Sequence, residues 1–504
     1  MISESSKKGG SCYIYANQIG CEGEGREYFD GCALVALNGD IKKQASQFSL
    51  SEIEVISATV DLDEIWNARY QPARRMQASD EPVYHRIQLD VAFTHNQPLP
   101  TRPITSTVPA VTVKPEEEIA RAAGAWIWDY TRRSHQSGLF LPLSGGVDSC
   151  ATAVIVFSTA RMLHAAVEEG NMQVTRDLRI VCGEPSNSLW EPSTPQEICN
   201  RIFHTCFMGT ENSSKETRQR AKALANDIGA YHIDLDMDTI VSAFTTLFTT
   251  LFSRTLRYRG QGGSNQEGLA LQNIQSRSRM VLSYLLASTL TLIRGRPNGR
   301  TGSLLVLGSA NVDECLRGYL TKYDCSSADI NPIGGISKHD LSRFLRYALT
   351  EFDLPILSSF LTATPTAELE PITATYTQSD ETDMGCTYAE LGDFGRLRKV
   401  DKLGPYSMWQ RLSSVEWKAR GLTARECYDK VRFLWTYFGI NRHKQEILTP
   451  SLHAEVYSPD SNRFDLLPFL RPTLAWAYGR IEKALDQMET KEEEEEDGEE
   501  NEEE

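Results

Sequence analysis

Six residues, Ser144-Gly-Gly-Val-Asp-Ser149, constrain the fold more than any other stretch of the chain. The apolar run Leu139-Phe-Leu-Pro-Leu143 stops at them, and a second apolar segment, Cys150–Phe157, begins directly after. That order predicts a buried strand, a tight glycine turn and a helix entered at its positive end. Gly145 and Gly146 let backbone approach an anion, Ser144 and Ser149 add hydroxyl donors, and the first helical turn offers unpaired N–H groups. Such a cradle suits a phosphate chain, and Asp148 at its rim suits the divalent cation that screens one. An ordinary strand–helix connection with a serine cap has the same outline, so the turn alone leaves both readings open. No Gly-x4-Gly-Lys-Ser/Thr occurs, which excludes the Walker A loop.

With 504 residues, 40% hydrophobic and 24% charged, the chain has room for two or three domains with proper cores. The net charge of -16 is concentrated at one end: residues 491–504 hold eleven acids and one Lys, leaving only -6 elsewhere. The body has no basic stripe, which argues against sequence-specific nucleic-acid binding. Eleven cysteines without a C-x-x-C pair argue against a disulfide framework or a structural zinc site. No run of about 18 apolar residues predicts a membrane span, and the polar Met1–Gly10 lacks the apolar core of a signal peptide. A soluble, cytoplasmic protein that engages neither membrane nor nucleic acid is expected.

Residues 12–95 read as β-rich. Cys12–Ala16, Ala33–Leu37 and Glu54–Val60 are expected strands, Asn38-Gly39 a hairpin turn, and Val91-Ala-Phe93 the close of this part. Pro98, Pro100, Pro103 and Pro109 mark a linker over 98–114. Beyond it, Pro115 and Glu116–Glu118 open a helix. Helices are also expected up to about Ala166, over Thr217–Ile228 and from Leu269 to Leu292. Strands are expected at Phe203–Met208, Tyr231–Leu235 and Leu304–Leu307, with a further one at Arg179–Cys182. Gly260–Asn265 reads as a mobile loop, and the acidic tail 481–504 as disordered. Alternating strands and helices predict an α/β fold with a doubly wound parallel sheet, whose ligands gather at the strand C-terminal ends.

Ser309 lies at such an end, followed by a second dense block, Gly308-Ser-Ala-Asn-Val-Asp-Glu314 through Lys338. Glu314, Lys322, Asp329 and Lys338 place four charges just past a buried strand, where charge is costly. Together with the loop at 144–149, this block resembles the ATP pyrophosphatases, and among them the eukaryotic glutamine-dependent NAD synthetases. Asn273–Met280, Pro365–Glu370, Gln378–Gly385 and Asn441–Lys444 fit the same family in the same order. The resemblance covers about residues 11–480.

That resemblance implies a ligase in which ATP adenylates the nicotinate carboxylate of deamido-NAD, pyrophosphate leaves, and ammonia displaces AMP. It implies ATP phosphate contacts from Ser144, Gly145, Gly146, Val147, Asp148, Ser149, Ser309, Lys338 and Thr366, with Ser144, Asp148 and Lys338 catalytic. Asp148 and Glu314 would hold Mg2+, and Arg277, Tyr319, Lys322, Asp329, His443 and Lys444 would hold deamido-NAD. A homo-oligomer is implied as well. The domain reading is 115–480 for the synthetase and 1–97 for the late part of a nitrilase-like α/β sandwich, the glutaminase of this family.

Tyr13–Glu24 and Phe29–Ala33 carry the nitrilase-like resemblance, yet the glutaminase Glu, Lys and Cys would all lie upstream of it. Cys21 stands beside Glu22 and Glu24, whose carboxylates disfavour a thiolate, so no glutaminase nucleophile is assigned. The expectation is a chain lacking most of the glutaminase and using free ammonia. A silent assembly subunit is the alternative.

Overall fold

The computed structural model describes residues 1–22, 25–82, 85, 87–90, 103–296, 302–363, 369, 380–445, 447–454, 457–458 and 474–503. The chain divides into two compact units, residues 1–22 with 28–114 and residues 23–27 with 115–504.

In the first unit the strands are β1 (Cys12–Tyr15), β2 (Ile19–Glu22), β3 (Glu27–Asp30), β4 (Leu34–Leu37) and β5 (Asp40–Gln44). Antiparallel β1, β4 and β5 form one sheet, and β2 and β3 a separate ribbon. Asn38 (φ 50°) and Gly39 (φ 102°) make the β4–β5 turn, both left-handed, as an Asn-Gly hairpin requires. The helix Ile2–Gly9 is tied to this sheet by the buried Ser6, whose Oγ donates to Ser11 O at 2.7 Å.

One expectation fails here. Glu54–Val60 forms no strand: Val55 is 85% exposed, and Thr59 is instead stitched to Thr105, whose N–H donates to Thr59 O at 2.9 Å. Alternation without a partner and a face to bury does not make a strand. Residues 103–111 of the expected linker likewise bond to this unit, with Val108 N–H donating to Ile41 O at 2.8 Å. Val91–Phe93 lies outside the described residues.

The second unit is built on β6 (Leu139–Pro142), β7 (Phe203–Gly209), β8 (Tyr231–Asp236) and β9 (Leu305–Val306), all parallel, in the order β8-β7-β6-β9. From β6 the chain steps to β7 and β8 on one side, then returns to place β9 on the other. This reversal opens a crevice beyond the C-terminal ends of β6 and β9, where such sheets bind ligands.

Behind the sheet runs Val147–Glu168, buried from Ser149 to Ala160. It packs on Pro115–Arg133, with Ser158 Oγ donating to Ala120 O at 2.9 Å and Thr159 Oγ1 to Gly124 O at 3.1 Å. By length and composition this helix could cross a membrane, contrary to the expectation of no such run, but most of it is enclosed by the unit. It is apolar because it is the central core helix.

Arg179–Cys182 is corrected from strand to helix. It ends Met172–Cys182, where Val174, Leu178 and Val181 are buried at helical spacing and the Asn171 side chain caps the start. Gly260–Asn265 overlaps a short 3-10 turn, Arg259–Gln261, that leads into the capping box of Ser264 and Glu267 on the helix Asn265–Arg294. The tail expected to be disordered continues the helix Ala475–Glu503. Ile481 and Leu485 are buried in a cluster with Trp409, Trp417 and Leu434, which supplies the nucleus that an isolated acidic segment lacks.

Candidate active site

Gly145 is at φ +81°, and a Cβ there would lie 2.3 Å from Thr217 O, so only glycine fits. Gly146 caps the helix Val147–Glu168, and the Ser144 and Ser149 hydroxyls meet at 2.9 Å across its open end. Gly146 N–H donates to Ser144 Oγ at 3.3 Å, and Arg220 Nε holds the Gly145 carbonyl at 3.2 Å. The turn is therefore preset by these bonds.

Past β9, Asn311 caps the short helix Val312–Arg317 by accepting from Asp313 and Glu314 N–H, both at 3.0 Å. Its amide also donates to Asp148 Oδ1 at 3.0 Å, which links the two strand ends directly. Lys338, first residue of the helix Lys338–Glu351, extends its ammonium to Asp148 Oδ2 and stands 3.9 Å from Glu314 Oε1. Asp148 and Glu314 thus share one cation. Tyr388 donates its O–H to Glu314 Oε1 at 3.1 Å, and its ring lies 5.1 Å from Lys338 Nζ.

Electrostatics follow from this crowding. Burial, reinforced by Asp148, pushes the Glu314 carboxyl well up. Burial alone would lower Lys338, but the facing Asp148 and Glu314 outweigh it and hold the ammonium charged. Burial also raises Asp313 to about 6, although its carboxylate accepts from Lys338 N–H at 3.0 Å. With its carboxyl raised, Glu314 favours the protonated form beside Asp148, and a further cation would favour its ionised form. The oxygen donors of the two carboxylates fit Mg2+, which takes one or two carboxylates alongside phosphate oxygens. No group of three or more His, Cys, Asp or Glu suited to a metal occurs among the described residues.

A cavity of about 310 Å³ joins these parts. Ser144, Gly146, Val147, Asp148, Ser149, Ser309, Glu314, Tyr319 and Lys338 line it. Gly145 lies beneath it, buried. Arg277, Lys322, Asp329, His443 and Lys444 do not line it, but several cluster on the neighbouring segment 318–329. Arg277 Nε donates to Lys322 O at 2.9 Å, and Lys444 Nζ to Gly318 and Leu320 O at 2.9 and 2.8 Å. Asp329 accepts from Val306 N–H at 2.8 Å and Tyr284 O–H at 3.0 Å, fastening this segment to β9. His443 is exposed, and Thr366 lies outside the described residues. Cys21 is buried.

Asn311, Tyr388, Arg220 and Arg279 were not singled out from sequence, though the last two also line the cavity. Asn311 had a local signal, an Asn three residues before Glu314 at a strand–helix junction. Tyr388 had none, because 74 residues separate it from the carboxylate it meets.

Fold and site together define a doubly wound α/β protein with a glycine turn at a helix N-terminus and a paired-carboxylate crevice at its switch point. Comparison with known proteins narrows this. The NAD synthase family profile matches residues 119–403, and the carbon–nitrogen hydrolase profile residues 1–70. The chain is 54% identical over 498 residues to the glutamine-dependent NAD(+) synthetase of Saccharomyces cerevisiae, covering 97% of this chain and 68% of that protein. It is 46% identical to the Homo sapiens protein of the same name, covering 98% and 69%. A crystal structure of a glutamine-dependent NAD(+) synthetase from Cytophaga hutchinsonii shares the fold, with TM-score 0.68 and 21% identity over 95% of this chain and 67% of that one. The chain belongs to the glutamine-dependent NAD(+) synthetase family of ligases.

These findings correct one expectation. Residues 1–70 match the carbon–nitrogen hydrolase profile, which overturns the reading of a chain that lacks most of its glutaminase and uses ammonia alone. That reading rested on the search for a Glu, Lys and Cys set.

Proposed function

We propose that the cavity beyond β6 and β9 binds ATP and deamido-NAD and converts them, with ammonia, to NAD, AMP and pyrophosphate. The nicotinate carboxylate oxygen attacks the α-phosphorus and the bond to pyrophosphate breaks. Ammonia, supplied as such or from glutamine, then attacks the acyl carbon, and the C–O bond to AMP breaks. Adenylation replaces a poor leaving group with a good one, and fixed positive charge must meet the charge growing on pyrophosphate.

In this reading the helix N-terminus, Ser144, Gly145, Gly146, Val147 and Ser149 cradle the phosphates, joined by Ser309 and Thr366. Lys338 sits where it can bond a phosphate oxygen, held charged by Asp148 and Glu314. Those two carboxylates would hold Mg2+, which when bound supplies charge neutralisation at the triphosphate. Arg277, Tyr319, Lys322, Asp329, His443 and Lys444 are assigned to deamido-NAD, with Lys444 acting through the 318–320 turn that it bonds.

The observation that carries the reading is Lys338, shared between carboxylates from the two strand ends that flank the switch point. Homo-oligomerisation belongs to the same reading. It is supported by the exposed Phe244, Leu247 and Leu251 on Asp238–Phe252 and Val281, Leu285 and Leu292 on Asn265–Arg294. No observation favours a silent assembly subunit.

Incubation with ATP, Mg2+ and deamido-NAD, with ammonium or glutamine as nitrogen source, should yield NAD, AMP and pyrophosphate in equal amounts. NAD formation accompanied by ADP and phosphate would contradict adenylation.

A further inference from the structure

Resting on that reading of the site, we infer that Asn311 is a positioning residue that sets the metal requirement of the reaction by keeping one oxygen of Asp148 turned away from Lys338 while the other pairs with it. Asn311 is fully buried. Its side-chain oxygen accepts the N–H groups of Asp313 and Glu314, which fixes the start of the helix that carries Glu314. Its side-chain nitrogen donates at 3.0 Å to one oxygen of Asp148, whose other oxygen faces Lys338. One planar amide therefore ties the Asp148 carboxylate to the backbone that carries Glu314, and Asp148 cannot turn without breaking its bond to that amide.

Chemistry explains why an amide stands there. Asp148 has two claims on it, the ammonium of Lys338 and any divalent cation. Without the Asn311 donor the carboxylate is free to turn both oxygens onto Lys338, and a cation must break that ion pair before binding. An amide keeps one Asp148 oxygen apart from Lys338 and adds no charge to a site already rich in it. A serine would keep the helix cap, since its hydroxyl serves the same N–H groups, but is too short to reach Asp148. A hydrogen bond to a charged group is worth roughly tenfold in an equilibrium constant.

The test separates capping from positioning with Asn311→Ser and Asn311→Ala. Two readouts are taken across a Mg2+ titration: NAD formation, and the thermal shift induced by ATP without deamido-NAD. Both variants should need about tenfold more Mg2+ for half the ATP-dependent shift and half the maximal rate. Only Asn311→Ala, which loses the cap, should melt lower without ligands. If Asn311→Ser keeps the wild-type Mg2+ dependence, Asn311 is a helix cap only and the inference falls. If wild-type protein makes no NAD, the proposed function fails instead; the ATP-dependent shift still decides the role of Asn311.

Discussion

Asp148 meets the amide of Asn311 with one carboxylate oxygen and the ammonium of Lys338 with the other, so its charge is committed on both sides. Asp148→Asn preserves the shape but removes the charge that pairs with Lys338 and that the proposed divalent cation would need. NAD formation should fall by about 10²-fold or more while circular dichroism stays native; an undiminished rate would remove Asp148 from the site. Gly145→Ala acts through the backbone. At φ +81°, with a Cβ forced to 2.3 Å from Thr217 O, the turn must open. A loss of about 1–3 kcal/mol in urea denaturation is expected, together with loss of the ATP-induced thermal shift; unchanged stability would show that the turn is not fixed. The loop was legible from sequence because its chemistry is written in six consecutive residues. Asn311 and Tyr388 were not, because their partners arrive from other elements, 163 and 74 residues away.

Elements were legible where a periodic face found something to cover. Phe203–Gly209 is buried along its whole length between β6 and β8, and its apolar run announced it. Glu54–Val60 had alternation but no partner, and Arg179–Cys182 is too short to distinguish a helix end from a strand without Val174 and Leu178 before it. β7 also carries a titratable group that links the element to stability. His204 is buried, accepts from Arg294 Nη1 at 3.0 Å through Nε2, and is lowered to about 3, first by burial and then by Arg294 and Arg296. Unfolded, an ordinary histidine titrates near 6.5. Between those values the unfolded chain binds the extra proton, so stability contributed by neutral His204 is present above about pH 6.5 and lost as pH falls. Lowering pH from 6.5 to 5 should cost about 2 kcal/mol through this residue. His204→Gln should flatten the pH dependence of the urea midpoint by that amount; identical slopes in both proteins would refute it.

For the whole molecule, the parallel sheet and its switch point were inferable from the strand–helix alternation, since right-handed crossovers leave few ways to assemble it. The N-terminal unit was harder to judge. Its antiparallel strands were visible, but strands alone do not carry a catalytic signature, and the expectation that most of the glutaminase is lacking is not supported by the match of residues 1–70 to carbon–nitrogen hydrolases. What unites the second unit is a division of labour: the turn and helix after β6 supply the glycine turn and Asp148, the segment after β9 supplies Glu314, and Lys338 joins them. The purpose proposed for that arrangement is transfer of an adenylyl group to a carboxylate. Oxygen tracing tests it most directly: deamido-NAD labelled with 18O in the nicotinate carboxylate is turned over with unlabelled ATP, and the products are weighed by mass spectrometry. The account predicts one 18O in the phosphate of AMP and none in pyrophosphate; unlabelled AMP, or label in inorganic phosphate, would contradict it.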